Sequence, residues 1–222
     1  MIKPRLLDLF CGAGGAAMGY HRAGFEVIGV DIKPQPHYPF EFHQADALIY
    51  PLGGFDAYHA SPPCQHASRI AAMHRAIHPG KYNHPNLIPQ VRILLRATGK
   101  LYVIENPVEA HLETPIILCG SSFGLNLRRH RAFETNMPVV LTPPCSHSWQ
   151  KPRFRSLDHN RKGLTGVIGV HGNINYSGEK ALREEAMGID WMINKELTQA
   201  IPPDYTEYIG KYLMELLVAT ED

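Results

Sequence analysis

The segment from Arg5 to Asp31 constrains the fold more than any other part of the chain. An apolar stretch, Arg5-Leu6-Leu7-Asp8-Leu9-Phe10, runs into the glycine-rich turn Cys11-Gly12-Ala13-Gly14-Gly15, and a helix is expected from Ala16 to Ala23. Gly24 is placed to end that helix, and Phe25-Glu26-Val27-Ile28-Gly29-Val30 reads as a second strand finishing at Asp31. Such a layout sends the turn and the Asp31 carboxylate to the carboxyl edge of a parallel sheet, where open α/β sheets bind ligands. Glycines at 12, 14 and 15 let backbone approach a ligand closely, and the helix start offers unpaired amide hydrogens. The turn lacks the full dinucleotide spacing and also the lysine and hydroxyl of a phosphate-binding loop, so alone it serves tight packing as readily as a cofactor. Asp31 stands where a ribose-hydroxyl acceptor belongs, which points to an adenosine-containing cofactor; its plainer role is a helix cap or loop acid.

The same alternation continues. Phe42 to Asp46 reads as a short strand end carrying another acid, and Phe55 to Ala60 as a strand whose terminal loop is Ser61-Pro62-Pro63-Cys64-Gln65. Leu87 to Thr98 has helical character, Gly99 closes it, and Leu101-Tyr102-Val103-Ile104 runs straight into Glu105-Asn106-Pro107. Ile116 to Gly120 is a short strand or bend. Residues 136–166 are proline-rich, basic and loop-dominated, and helices are expected over Gly178–Met187, Asn194–Ala200 and from Tyr205 or Thr206 to Val218. With 222 residues, 44% of them apolar, the chain suits one well-filled α/β domain over 1–222. Nowhere do 18 apolar residues follow one another and no secretory leader is evident, so a soluble cytoplasmic protein without membrane contact is expected.

Several residues can carry chemistry. Cys64 follows two prolines, which fix where its thiol points, and a thiolate is a good covalent nucleophile; a small buried apolar residue is the bland alternative. Glu105, at a strand end, can be held rigidly enough to move a proton, and burial would keep it protonated at higher pH; it can equally cap nearby amides. Arg129 and Arg131 share a face if their segment is extended, and that face suits a phosphate or a pyrimidine oxygen; otherwise they are surface charge. Asp46 is placed to accept a hydrogen from an adenine amino group.

The formal net charge is only +1, but it is unevenly spread: residues 65–100 hold six Lys or Arg and no acid, and 128–162 hold eight against two acids. These stretches suit a polyanion, since phosphate contacts supply much of the affinity for nucleic acid. The four cysteines are far apart and expected to be free thiols. Cys145-x-His147, with His159 and His171 beyond, has the residue types of a zinc site but not the spacing of a compact module. No metal is expected, and Cys11 and Cys119 are assigned to packing.

Taken together these motifs resemble the cytosine-5 DNA methyltransferase family. DLFCGAGG at 8–15 looks like its cofactor signature, Asp31 and Asp46 like its ribose- and adenine-contacting acids, and SPPCQ at 61–65 like its nucleophile loop. Glu105-Asn106-Pro107 is similar to the family's Glu-Asn-Val, and LRRHR at 127–131 to its Gln-Arg-Arg-x-Arg. The resemblance implies a Rossmann-like S-adenosylmethionine-dependent methyltransferase fold, a mostly parallel sheet flanked by helices. It implies catalysis by Cys64, Glu105, Arg129 and Arg131. Phe10, Gly12, Gly14, Gly15, Asp31, Ile32, Asp46, Ala47 and Pro63 would hold S-adenosylmethionine, with no metal. The implied reaction is methylation of carbon 5 of cytosine, Cys64 attacking carbon 6 while Glu105 protonates nitrogen 3, on a base flipped out of DNA. The chain departs from the family in Leu127 and Pro107, and in Ile201-Pro202-Pro203 where Gly-Asn is usual. The short basic segment 132–182 stands in place of a target-recognition domain, which admits a specificity-conferring protein partner for an otherwise monomeric enzyme. Two alternatives stay open: the same chemistry on RNA or a free cytosine nucleotide, and a weakly active DNA-binding accessory subunit.

Overall fold

The computed structural model describes residues 3–63, 85–150, 167–168, 170 and 179–219. The strands are β1 Arg5–Leu9, β2 Glu26–Asp31, β3 Glu41–Gln44, β4 Ala57–Ala60, β5 Leu101–Asn106, β6 Ile116–Leu118 and β7 Arg131–Thr135. The helices are α1 Gly15–Arg22, α2 Ile88–Ala97, α3 Glu179–Met187, α4 Asn194–Leu197 and α5 Pro203–Val218. The strands form one sheet in the order β3-β2-β1-β4-β5-β7-β6. The first five pair in parallel, and β7 runs antiparallel between β5 and β6. Strand order reverses between β1 and β4, so the crevice above their carboxyl ends is the topological switch point of the sheet.

Apolar side chains cover both sheet faces, as a buried parallel sheet requires. On one face Leu6, Val27, Ala57 and Val103 pack with Ala16, Ala17 and Tyr20 of α1 and with Tyr205, Ile209 and Leu213 of α5. On the other, Leu7, Ile28, Tyr58 and Ile104 pack with Ile88, Val91 and Leu95 of α2. This alternation is the period-two pattern of each strand seen from its two sides. A third cluster joins Ala13 of the glycine turn to Leu127, Ile168, Met187 and Leu197. Arg92 of α2 makes a two-pronged ion pair with buried Glu134 of β7, at 2.6 and 2.7 Å, clamping the antiparallel strand to the helix layer.

The expected elements are present with small shifts at their ends. The last helix begins at Pro203 rather than Tyr205, because proline at the first helical position gives up no hydrogen bond. Strand β7 is an addition: Arg131-Ala132-Phe133-Glu134-Thr135 carries three charged or polar positions and reads poorly as a strand, yet Ala132, Phe133 and Glu134 are all buried. No helix among the described residues is long and apolar enough to cross a membrane.

Candidate active site

The glycine turn is built by positive φ angles at Phe10 (57°), Gly12 (51°) and Gly14 (84°). For Phe10 this backbone is costly, and such strain concentrates where geometry serves function. The Cys11 amide donates to the Val30 carbonyl at 3.1 Å, and the Gly12 amide to Asp31 Oδ2 at 3.1 Å. The Lys33 amide donates to Asp31 Oδ1 at 2.9 Å, so the carboxylate is held on both oxygens at the rim of the turn. The three glycines do not share one role. A Cβ at Gly14 would lie 2.7 Å from Pro39 Cδ and one at Gly15 2.5 Å from the Ile201 carbonyl, whereas one at Gly12 would meet nothing within 4 Å. Gly14 and Gly15 therefore leave no room for a side chain against their packed neighbours, and of the three only Gly12 faces open space. Beside it, Ile32 is 63% exposed, an apolar surface with no covering side chain, while Ala47 is buried. Asp46 Oδ1 accepts the Leu48 amide at 2.9 Å. An open backbone corner, a fixed carboxylate and a bare apolar side chain fit the sugar and base of a nucleoside.

Across the switch point, β4 leads into Ser61-Pro62-Pro63. Cys64 and the remainder of the 64–84 segment lie outside the described residues. Asn106 donates from Nδ2 to the Pro62 carbonyl at 2.8 Å, which ties the start of this loop to the end of β5. Pro63 is exposed. Glu105 is buried, and its Oε1 lies 2.9 Å from Arg131 Nε in an ion pair, without a hydrogen bond of good geometry to any group. Burial raises its pKa; the charges of Arg131 and Arg129 and a hydrogen bond from Ser61 pull in the opposite direction without cancelling the rise.

Arg129 and Arg131 both act on that carboxyl electrostatically but are held differently. Arg131 faces Glu105 directly. Arg129 is buried and donates to the carbonyls of Val170 (2.8 Å) and Thr198 (2.9 Å), so its guanidinium also fastens two distant segments. The Tyr205 hydroxyl donates to the Arg129 carbonyl at 2.6 Å, and Thr206 Oγ1 donates to the Ala16 carbonyl at 2.8 Å. The segment at 201–206 thus closes on the glycine turn, helix α1 and the arginine segment.

Sequence reasoning missed three groups here. Asp8, wholly buried in β1, has no hydrogen-bond partner among the described residues, and desolvation first, then Asp31 and Glu105, raise its pKa well above the ordinary carboxylate range. His59 in β4 is buried, held neutral by desolvation with its pKa lowered to about 3, and lies 2.9 Å from both the Tyr20 hydroxyl and Ser61 Oγ. His59 thus links the Tyr20 hydroxyl of α1 to Ser61, the first residue of the loop that leads to Cys64. Tyr205, above, is the third. The available signal was a polar residue at an inward position of an apolar strand, as in Leu7-Asp8-Leu9 and Tyr58-His59-Ala60.

No family model and no curated protein matches the chain by sequence. Among solved structures it resembles a candidate DNA modification methyltransferase encoded within a prophage, from E. coli. That match has a TM-score of 0.64 at 15% identity over 97% of this chain and 100% of that one. Entamoeba histolytica methyltransferase EhMeth (TM-score 0.54, 14% identity, 98% and 99% covered) and S. pombe Dnmt2 methyltransferase (0.54, 14%, 99% and 100%) are also similar. At these identities the likeness establishes the fold, the Rossmann-like arrangement of S-adenosylmethionine-dependent methyltransferases.

Proposed function

We propose that this chain transfers a methyl group from S-adenosylmethionine to carbon 5 of cytosine in DNA, with Cys64 as nucleophile and Glu105 as acid. The observation that carries the proposal is the hydrogen bond between Asn106 and the Pro62 carbonyl. It couples the loop that leads to Cys64 with the neighbour of a buried, arginine-paired carboxyl. In the order of the reaction, Glu105 delivers a proton to nitrogen 3, which makes carbon 6 electron-poor. The Cys64 thiolate adds at carbon 6 and carbon 5 becomes nucleophilic. Loss of the carbon-5 hydrogen and departure of Cys64 then restore the ring. When bound, S-adenosylmethionine supplies an electrophilic methyl group; Gly12, Asp31 and Ile32 are the residues that fit its nucleoside. Arg131 holds the Glu105 carboxyl in place, and Arg129 fixes the backbone that carries Arg131. A base inside a duplex exposes neither ring face to such a site, so the cytosine must leave its stack.

The segment 132–182 is short for a reader of DNA sequence, which favours RNA or a free cytosine nucleotide as the second substrate class. Transfer of labelled methyl to double-stranded DNA, single-stranded DNA, RNA and deoxycytidine nucleotide separates these classes. Label at carbon 5 of cytosine in DNA is the expected result. Label only in RNA or nucleotide moves the substrate, and a folded, cofactor-binding protein that labels none is an accessory subunit.

Cofactor binding gives an independent check. Asp31→Ala removes a charged acceptor and frees the Gly12 and Lys33 amides it holds. Calorimetry is expected to show S-adenosylmethionine binding weakened by about 10- to 100-fold, the equivalent of one or two charge-assisted hydrogen bonds. Unchanged affinity would remove Asp31 from the cofactor site.

A further inference from the structure

None of the chemistry above uses Cys119, His130, Cys145 and His147, yet their ligand atoms all lie within 4.8 Å of one another. His147 Nε2 is 3.4 Å from Cys119 Sγ and 3.2 Å from Cys145 Sγ, and His130 Nε2 is 3.4 Å from Cys145 Sγ. Bonds of about 2.3 Å to sulfur and 2.0–2.1 Å to nitrogen at tetrahedral angles put neighbouring S and N ligands about 3.6 Å apart. We infer that Cys119, His130, Cys145 and His147 bind a single zinc ion as a tetrahedral Cys2His2 site that fastens the segment following β7 to the β6–β7 edge of the sheet.

The donor set selects the metal. Two thiolates and two imidazoles suit zinc and are poor ligands for magnesium or calcium, which take oxygen. An iron–sulfur cluster with cysteines on one iron and histidines on the other would hold the two pairs apart, whereas here thiols and imidazoles interleave around one point. Four protein ligands leave no open position, so the ion is structural and not a generator of hydroxide. Ser121 Oγ lies 3.4 Å from both sulfurs, in position to donate its one hydrogen to either thiolate and steady its charge.

The ligands come from three places in the fold. Cys119 follows β6, His130 immediately precedes β7, and Cys145 and His147 lie in the segment after β7. Spacing along the chain therefore hides the set, in which Cys119 and His130 stand beside Cys145 and His147. His159 and His171 lie outside the described residues. The inference departs from the expectation of no metal and adds a ligand role to the packing of buried Cys119. Next to the cluster, Arg128 donates to the Gln150 carbonyl at 2.8 Å, and Gln150 Nε2 donates to the Leu125 and Leu127 carbonyls at 2.9 and 3.2 Å. The ion thus anchors the beginning of the basic segment directly beside His130, whose neighbour Arg131 pairs with Glu105.

The test uses the full chain, purified under reducing conditions, with zinc measured by inductively coupled plasma mass spectrometry. About one zinc per chain is expected, retained in Cys64→Ser and bound at least about tenfold more weakly in Cys145→Ser and in His147→Asn. Replacement of zinc by Co2+ in the unmutated chain reads the ligand set without any variant: visible bands of tetrahedral cobalt with a near-ultraviolet thiolate charge-transfer band are expected. A folded protein that takes up no zinc after reconstitution overturns the inference. So does undiminished binding by both ligand variants, loss of the metal in Cys64→Ser, or a Cys119–Cys145 disulfide in the protein isolated under reducing conditions.

Discussion

Cys64→Ser is expected to lose methyl transfer by at least about a thousandfold while keeping its fold and its affinity for S-adenosylmethionine. A hydroxyl is a far weaker nucleophile than a thiolate near neutral pH, and the reaction needs covalent attack at carbon 6 before carbon 5 can react. The measurement is single-turnover transfer of labelled methyl, paired with a trapping assay. An oligonucleotide with fluorine at carbon 5 of the target cytosine cannot lose that substituent as a proton, so the unmutated chain should stay bonded to it through a denaturing gel. Cys64→Ser should leave no such band. A variant within about tenfold of the unmutated rate would show that Cys64 is not the nucleophile, and the buried thiols Cys11 and Cys119 are poor replacements. Burial and the nearby Asp8 and Asp31 charges push the Cys11 thiol far up, and burial is the main cause of the rise at Cys119.

Glu105→Gln comes next in size, with an expected loss of about 10²- to 10⁴-fold, the usual contribution of a positioned acid. Glutamine keeps the shape of the side chain, but it carries no charge for Arg131 and cannot deliver a proton to nitrogen 3. The pH profile supplies a signature that a structural role would not. Burial raises the Glu105 pKa, so the acid form persists above the ordinary carboxylate range, and activity should fall on the alkaline side as that proton is lost. Arg131→Gln removes the largest opposing influence and should carry that alkaline limb to higher pH, although the rate itself drops as the carboxyl loses its support. A limb that stays still in Arg131→Gln, or that survives in Glu105→Gln, would assign it to another group. Stability follows the same sign. Because the folded-state pKa values of Glu105 and Asp8 are raised, their contribution is fully present below the unfolded carboxylate value and is lost as pH rises through the folded one. Melting temperatures should therefore decline less steeply in Glu105→Gln as pH rises above the ordinary carboxylate range.

The parts of this molecule written in short-range patterns were legible in its residues. The β1–turn–α1–β2 unit and the strand ends bearing Asp31 and Glu105 follow from runs of apolar residues broken by glycine and proline, which act locally. What escaped notice depends on distant partners. Strand β7 is set by pairing with β5 and by the Arg92–Glu134 clamp, neither visible in Arg131–Thr135 itself. The roles of Gly14 and Gly15 depend on Tyr38, Pro39 and Ile201, and the Tyr20–His59–Ser61 chain spans 41 residues of sequence from end to end. The four ligands around the inferred zinc follow the same rule, since a hairpin edge brings them together and not a motif.

Helix α5 has a further consequence for how the chain comes to be folded. Its Thr206 hydroxyl reaches back to Ala16 across 190 positions, its Tyr205 hydroxyl to Arg129 across 76, and its Ile209 and Leu213 complete the core beneath β1. While the chain is being made, the glycine turn and the arginine segment emerge before α5 and keep one apolar face uncovered until residues 203–218 have been added. Contacts so remote in sequence cost loop entropy before they return any stability, which slows the final step. Until α5 docks, the edge that carries the glycine turn is half-built and exposes apolar surface, the kind of intermediate that is prone to aggregate.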